Sequence, residues 1–348
     1  MKLRIVNPGV LSTVQDKGRF GFMKAGVRTA GVMDSDSYDA ANAILGNSST
    51  AAVLEMTLMG INAVVEEEGN FVLTGADMKA ALNGMPIERD KVIHAESGQE
   101  LSMEMAVNGC RSYLSMEGGI DVPIVMGSRS TDVKCGIGGY EGRALLSGDV
   151  LCSGENHEAA TKSDGDLKKG MRRKNKRKSP AAYGTSAEVR VVEGPQADWF
   201  SQKERDQFFR ENYTVSAESD RMGMRLKGRA VESLHGVDIV SDGIAFGSIQ
   251  ITKSGMPIVM MADHQTTGGY AKIGTVCSFD LPKLAQLRPG DQVSFKRITI
   301  EEAQYLYCHP EEQNRTAPLA HPTRSDADKE YRRHHHFQKF VYYYRHRM

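Results

Sequence analysis

The run MADHQTTGGYAKIGTV, residues 261–276, gathers more reactive side chains than any comparable stretch of the chain. Asp263 and His264 each offer a general base, and Lys272 offers one ammonium to a developing negative charge. Between them, Gln265, Thr266 and Thr267 supply hydrogen-bonding groups, Gly268 and Gly269 leave backbone N–H groups open to close approach, and Tyr270 adds a phenol. A strand, polar turn and strand in this order would put the turn at the mouth of a barrel, where a small ligand meets all of these at once. Asp263, His264 and Lys272 are therefore the catalytic candidates, and Gln265 through Tyr270 the binding candidates. For His264 the competing reading is a turn histidine held by a hydrogen bond and taking no part in chemistry.

Three further runs combine glycine with charged and hydroxyl residues. In GSRSTDVKCGIGGYEGRALLSGD, Arg129, Ser130, Thr131 and Asp132 precede a glycine turn followed by Glu141 and Arg143. A guanidinium is a planar fork of donors suited to carboxylate or phosphate, so these six are candidate substrate or phosphate contacts. The alternative is a set of internal Arg–carboxylate pairs that pin long loops. The IGG stretch lacks the Lys-Ser/Thr pair of a Walker A loop. In SAESDRMGMRLKG, Asp220, Arg221 and Arg225 stand around Gly223, and a carboxylate beside a guanidinium stays ionised, which suits positioning of substrate or Mg²⁺ better than proton donation. Near the N-terminus, GVLSTVQDKGRFGFMKAGV sets Gln15, Asp16 and Arg19 between glycines, readable either as a ligand approach or as a hairpin with a polar turn.

The elements that must carry these runs are mostly strands. Short apolar stretches such as FVLTGAD, RSYLSMEGG, EVRVVEGP and PIVMMAD alternate with turn residues every ten or so positions, the pattern of an all-β barrel or sandwich. SGQELSM, SGDVLCS and PGDQVSF repeat one local form, a glycine turn feeding a strand. Helices are few. Asp34 to Gly46 has an acidic start and a glycine stop; Ser201 with Glu204, and Thr299 with Glu302, read as capping boxes; Asp280 reads as the cap of a helix whose Leu281, Leu284 and Leu287 form a core stripe. The expected organisation is a β-rich part over residues 1–155, a basic linker or surface loop over 156–187, a β-barrel part over 188–308, and a polar His/Tyr-rich tail over 309–348.

Bulk properties narrow the function classes. Lys plus Arg and Asp plus Glu are 44 each in 348 residues, so no global field favours nucleic acid or a membrane surface. The Lys/Arg run between Lys168 and Lys178 has no interleaved aromatic residue to stack on bases, and reads as a solvated loop. Five scattered cysteines show no C-x-x-C spacing, which points to reduced thiols in the cytoplasm. His334, His335 and His336 are adjacent and lack a carboxylate at helical spacing, so no metal site is expected. No apolar run approaches membrane-spanning length.

The same runs carry a resemblance. GVLSTVQDKGRFGF, AGVMDSDSYDAAN, LEMTLMG, LTGAD, GGIDVP, GSRSTD, GGYEGRAL, EGPQADWF, SDRMGMRL, DHQTTGGYAKIG and DLPKLAQLRPGD, in order from Asn7 to about Phe295, resemble the allophanate hydrolase subunit 2 family. That family includes the C-type subunit of 5-oxoprolinase, also called KipA-like, and the matching part of urea carboxylase. The resemblance implies a mainly β, cyclophilin-like barrel architecture. It implies ATP with Mg²⁺, two partner chains in the B-type (KipI-like) and A-type subunits of the same enzyme, and hydrolysis of 5-oxo-L-proline to L-glutamate. It leaves two alternatives: a biotin-dependent urea or amide carboxyltransferase, whose biotin another chain must carry because this one has no Met-Lys-Met site, and a non-catalytic regulator that binds an inhibitor of a kinase. Ala271 stands where the family commonly has proline.

Overall fold

The computed structural model describes residues 1–154 and 183–313. The basic run Lys168–Lys178 and the His334–His336 cluster lie outside the described residues. The first half folds as two antiparallel sheets around one core. One has six strands in the order Val150–Cys152, Lys2–Asn7, Asn62–Glu67, Glu100–Ser102, Ala81–Leu82 and Met85–Pro86. The other has five, in the order Leu11–Gln15, Val53–Thr57, Asn108–Met116, Gly69–Asp77 and Ile93–Ala95. In Lys2–Asn7 the two-residue period is visible: Leu3 and Ile5 are fully buried while Arg4 turns outward to meet Glu66 at 3.0 Å. Asn108–Met116 is buried along nearly its whole length, because it is the central strand and helix Ser35–Leu45 covers its sheet.

That helix begins where its sequence says it should. Asp34 accepts from the Asp36 and Ser37 amides at 3.0 Å each, and Gly46 ends it at φ 70°. The reused glycine turn is equally direct: Gly98, Gly148 and Gly290 all sit near φ +90°, and each feeds its strand. Only glycine takes that conformation without strain.

The second half is a closed seven-stranded barrel in the order Ser186–Glu193, Lys272–Val276, Ser248–Ile251, Pro257–Met260, Gly223–Lys227, Asn212–Val215 and Gln292–Arg297. Closure is made by the parallel pairing of the first and last of these. Val189, Ile249, Val259, Ile273, Val293 and Phe295 fill the interior, with Phe208 stacked on Phe295 at 4.8 Å. The mainly β architecture with a barrel and a few short helices is as the sequence led us to expect, and no described helix is long and apolar enough to cross a membrane.

Two local expectations change. Asp280 does not cap its helix; its carboxylate is taken by the Arg190 guanidinium fork at 2.6 and 2.7 Å and by Lys283 at 2.8 Å. Burial works against the charged form, yet those two cations bring its carboxyl below the usual range. Ser201 does cap, but Glu204 does not reciprocate, because Arg229 holds its carboxylate at 2.6 and 2.9 Å. Thr299 and Glu302 form the complete capping box.

The end of the barrel that carries helix Leu281–Ala285 docks on the sheets, and Gln286 makes the joint. Its side-chain oxygen accepts from the Cys110 and Arg111 amides at 3.0 Å, and its nitrogen donates to Asp34 Oδ2 at 2.7 Å and to the Arg111 carbonyl at 2.9 Å. Gln286→Leu would leave two amides and a carboxylate oxygen buried with fewer partners, so it is expected to cost about 3 kcal/mol. Urea unfolding of parent and variant measures this, and a loss under about 1 kcal/mol would show that the seam re-pairs without it.

Candidate functional site

Asp16, at the end of strand Leu11–Gln15, gathers the loop that carries the GSRSTD run. One carboxylate oxygen accepts from the Gly18 amide at 2.8 Å and from the Ser128 and Ser130 hydroxyls at 2.6 and 2.5 Å; the other accepts from the Arg129 amide at 2.6 Å. Arg19, fully buried, donates to the carbonyls of Val125 and Ser130 at 3.0 and 2.8 Å. Thr131 donates to the Val14 carbonyl at 2.8 Å. A side chain on Gly138 or Gly139 would overlap Ser130, Thr131 or Arg19, so these glycines serve close packing of two loops. The Gly139 amide itself donates to the Arg129 carbonyl.

This loop delivers Asp132 to the seam between sheets and barrel. The Asp132↔Ile137 bridge closes a small loop, and Lys134 on it reaches Met222 Sδ of the barrel at 3.7 Å. Beside Met222, Arg221 holds Asp263 through two parallel bonds of 2.8 Å, donates to the Gly31 carbonyl at 2.6 Å, and pairs with Glu55. Glu55 in turn accepts from the Met33 amide at 2.8 Å and the Tyr113 hydroxyl at 2.9 Å. Burial pushes the Asp263 carboxyl upward; Arg221 pulls it down, and Glu55 and Asp132 add to the rise. Burial works against the Arg221 charge, yet the Asp263 and Glu55 carboxylates outweigh it and keep the guanidinium cationic.

His264 follows on the same rim, only 3% exposed. Its Nδ1 lies 2.7 Å from the Gln265 carbonyl oxygen. A carbonyl only accepts, so Nδ1 carries the hydrogen. Burial holds the imidazole below its ordinary range; the Gln265 bond and Asp263 pull the other way, and the Arg28 charge adds to the lowering. The ring is thus neutral near pH 7, with its lone pair on Nε2.

The remaining candidates lie elsewhere. Thr267–Tyr270 pairs not with the barrel but with Asp238–Gly243 in a separate two-stranded ribbon. Thr267 is exposed there, the Thr266 carbonyl accepts from Ile244, Gly268 packs on Ile244 and Gln250, and the Tyr270 carbonyl accepts from Gln250. Lys272 is buried and donates to Asp242 Oδ2 at 2.7 Å and the Gly243 carbonyl at 3.0 Å. No hydrogen bond or ion pair among the described residues joins it to Asp263 or His264. Arg143 forks onto Asp149 at 2.6 and 2.9 Å and meets Glu141 at 2.7 Å, and Arg129 donates to the Val122 carbonyl at 2.9 Å. Asp220 accepts from the Met222 and Gly223 amides, shaping their turn.

Of the named candidates, the structure therefore gathers Asp132, Arg221, Asp263 and His264 at one seam. Glu55, Arg28 and Gln286 join them without having been singled out. For Glu55 a signal existed, since it is a charge between Leu54 and Met56 at the centre of the strand VLEMT. Arg28 had none.

The E. coli (strain K12) C-type subunit of 5-oxoprolinase is 37% identical over 306 residues, covering 86% of this chain and 93% of that protein. Its Haemophilus influenzae counterpart, also a C-type subunit of 5-oxoprolinase, is 34% identical over 295 residues, covering 85% and 91%. The crystal structure of the Kluyveromyces lactis urea carboxylase superposes with a TM-score of 0.78 at 29% identity, covering 90% of this chain but 29% of that one, so the likeness is to one portion of a larger protein. Residues 25–297 match the carboxyltransferase domain, subdomain A and B, and on that match and those identities the chain belongs to the carboxyltransferase subdomain A and B family that includes the C-type subunit of 5-oxoprolinase.

Proposed function

We propose that this chain is a subunit of a 5-oxoprolinase, which converts 5-oxo-L-proline, ATP and water to L-glutamate, ADP and phosphate. The observation that carries the reading is His264: neutral, its tautomer held by Gln265, its Nε2 a base on a rim shared with Asp132 and Asp263. In ring opening, Nε2 takes a proton from the attacking water, and the imidazolium returns it to the departing amine nitrogen. Arg221 and Glu55 set the position of Asp263 and so of the turn that carries the base.

The expected phosphate contacts do not fit a nucleotide cradle within this chain. Arg143 is committed to Asp149, Arg129 to a backbone carbonyl, and the Gly139 amide to another. We place no nucleotide or Mg²⁺ step here, and assign ATP handling to partner chains of the B and A types. Exposed apolar side chains beside the seam, Phe20, Ile124, Met126 and Val133, support a site completed by another chain. A urea or amide carboxyltransferase is the second reading, supported by the likeness to urea carboxylase, and there biotin would come from a separate carrier.

Two outcomes are expected. In a complex reconstituted with the A-type and B-type partner chains, His264→Gln should lower kcat for ATP-dependent glutamate release by at least about 100-fold while co-purification persists. Unchanged turnover would remove His264 from the mechanism, and carboxybiotin-dependent transfer to urea without glutamate release would favour the second reading.

The other outcome concerns pH. The folded His264 pKa lies below its unfolded value, so the folded state binds fewer protons than the unfolded one as pH falls below about 6.5. The stability of the neutral, buried ring is complete above that pH and is lost below it. Thermal melts from about pH 7.5 to pH 5 should show a shallower acid loss of Tm in His264→Gln than in the parent; parallel curves would contradict a neutral, buried ring.

A further inference from the structure

Lys272 carries a buried charge that the base mechanism leaves unused. It opens the barrel strand Lys272–Val276 and is 4% exposed. Its ammonium donates to Asp242 Oδ2 at 2.7 Å and to the Gly243 carbonyl at 3.0 Å, and both acceptors belong to the two-stranded ribbon rather than to the barrel. An ammonium taken out of water must keep such acceptors, so the barrel dictates where Asp242 and Gly243 lie. The opposite end of the ribbon is tied by the Ala271 amide, which donates to the Val237 carbonyl at 2.8 Å, and by the Gln250 side chain, which donates to the Tyr270 carbonyl at 3.3 Å.

Ribbon and base share one turn. Its front half hangs from the barrel: the Asp263 amide donates to the Arg221 carbonyl at 2.8 Å, and the His264 amide to the Met261 carbonyl at 3.0 Å. Its back half belongs to the ribbon, where Thr267 pairs with Gly243, Gly268 with Asp242, and the Ile244 amide donates to the Thr266 carbonyl at 3.1 Å. Gln265 lies between the halves, and its carbonyl is the acceptor that keeps the hydrogen on His264 Nδ1. The single peptide group between Gly243 and Ile244 therefore accepts from Lys272 at its oxygen and donates to Thr266 at its nitrogen. Three hydrogen bonds in series, of 3.0, 3.1 and 2.7 Å, connect the ammonium to the imidazole.

We propose that Lys272 is a positioning residue for His264: its hold on the Gly243–Ile244 peptide sets the orientation of the Gln265 carbonyl, and with it the tautomer whose lone pair lies on Nε2. Without the ammonium, the Asp242 side chain, 36% exposed, turns to water and the Gly243–Ile244 peptide loses the bond at its oxygen. The Gln265 carbonyl then no longer has one orientation, and the ring hydrogen exchanges between Nδ1 and Nε2. The Nε2–H form has no lone pair at the nitrogen that takes the proton from water. The inference deepens the reading of His264 as the base, and rests on that reading for its consequence in catalysis.

The test is NMR of the histidine ring nitrogens in the full chain at about pH 7.5, with the His264 signals identified by their loss in His264→Gln. The parent should show Nδ1 protonated and Nε2 bare. Lys272→Met, which keeps the length and removes the charge, should bring both His264 nitrogens toward the averaged shift of exchanging tautomers, and Asp242→Ala should move them the same way. In the reconstituted complex, Lys272→Met should lower kcat by about tenfold or more while KM changes less than about threefold. Added to His264→Gln, it should lower kcat no further. A parent-like tautomer in the folded variants overturns the assignment, and so do losses that multiply in the double variant, as they would for a lysine that touches substrate itself. Where Lys272→Met fails to fold, Asp242→Ala decides by the same shifts. Because the tautomer is read without ATP or turnover, the two ideas fail separately. Mixed tautomers in Lys272→Met beside full turnover in His264→Gln keep the positioning and remove the base; a fixed tautomer in Lys272→Met beside lost turnover in His264→Gln does the opposite.

Discussion

Arg221 is where sheets and barrel become one object. Its guanidinium, buried and hydrogen-bonded on both edges, ties Asp263 of the barrel rim to Glu55 in the five-stranded sheet and to the Gly31 carbonyl in the loop between them. Removing one partner from a buried pair of this kind costs about 3–5 kcal/mol, because a charge is left without its counter-ion in a medium that solvates it badly. Everything at the seam inherits its position from that demand: Asp263 fixes the turn that carries His264, and Gly31 fixes the loop that carries Arg28.

The seam has a division of labour. Gln286 holds the two halves through the backbone of Cys110 and Arg111 and through the Asp34 carboxylate, and the Arg111 guanidinium returns a bond to the Ala285 carbonyl. The Arg221 cluster holds them through charge. Beside the Arg221 cluster lie a neutral imidazole, His264, and the buried Arg28–Asp132 ion pair, 3.9 Å apart.

Much of the architecture was legible from residue order because its causes are local. The Asp34 cap, the Gly46 stop, the Thr299–Glu302 box and the three glycine turns near φ +90° each depend on atoms within a few residues. Leu281, Leu284 and Leu287 line the core as their spacing implied. The Asp280 cap failed for the complementary reason: a cation from a distant strand, Arg190, bound the carboxylate more strongly than the local amides could. Glu204 was drawn from its capping box by Arg229 in the same way.

The candidate site divides along the same line. Composition and motif order alone determined that the chain is mainly β, and that Asp263 and His264 lie on a polar turn at the end of a strand, since alternation and turn chemistry are properties of short stretches. Only the tertiary structure decided which charges meet. It sent Lys272 to Asp242, and Arg143 to Asp149, while bringing Glu55, Arg28 and Asp132 to the seam from segments far apart in the chain. A buried charge must find its partner wherever the packed fold places one, and spacing along the chain does not encode that choice.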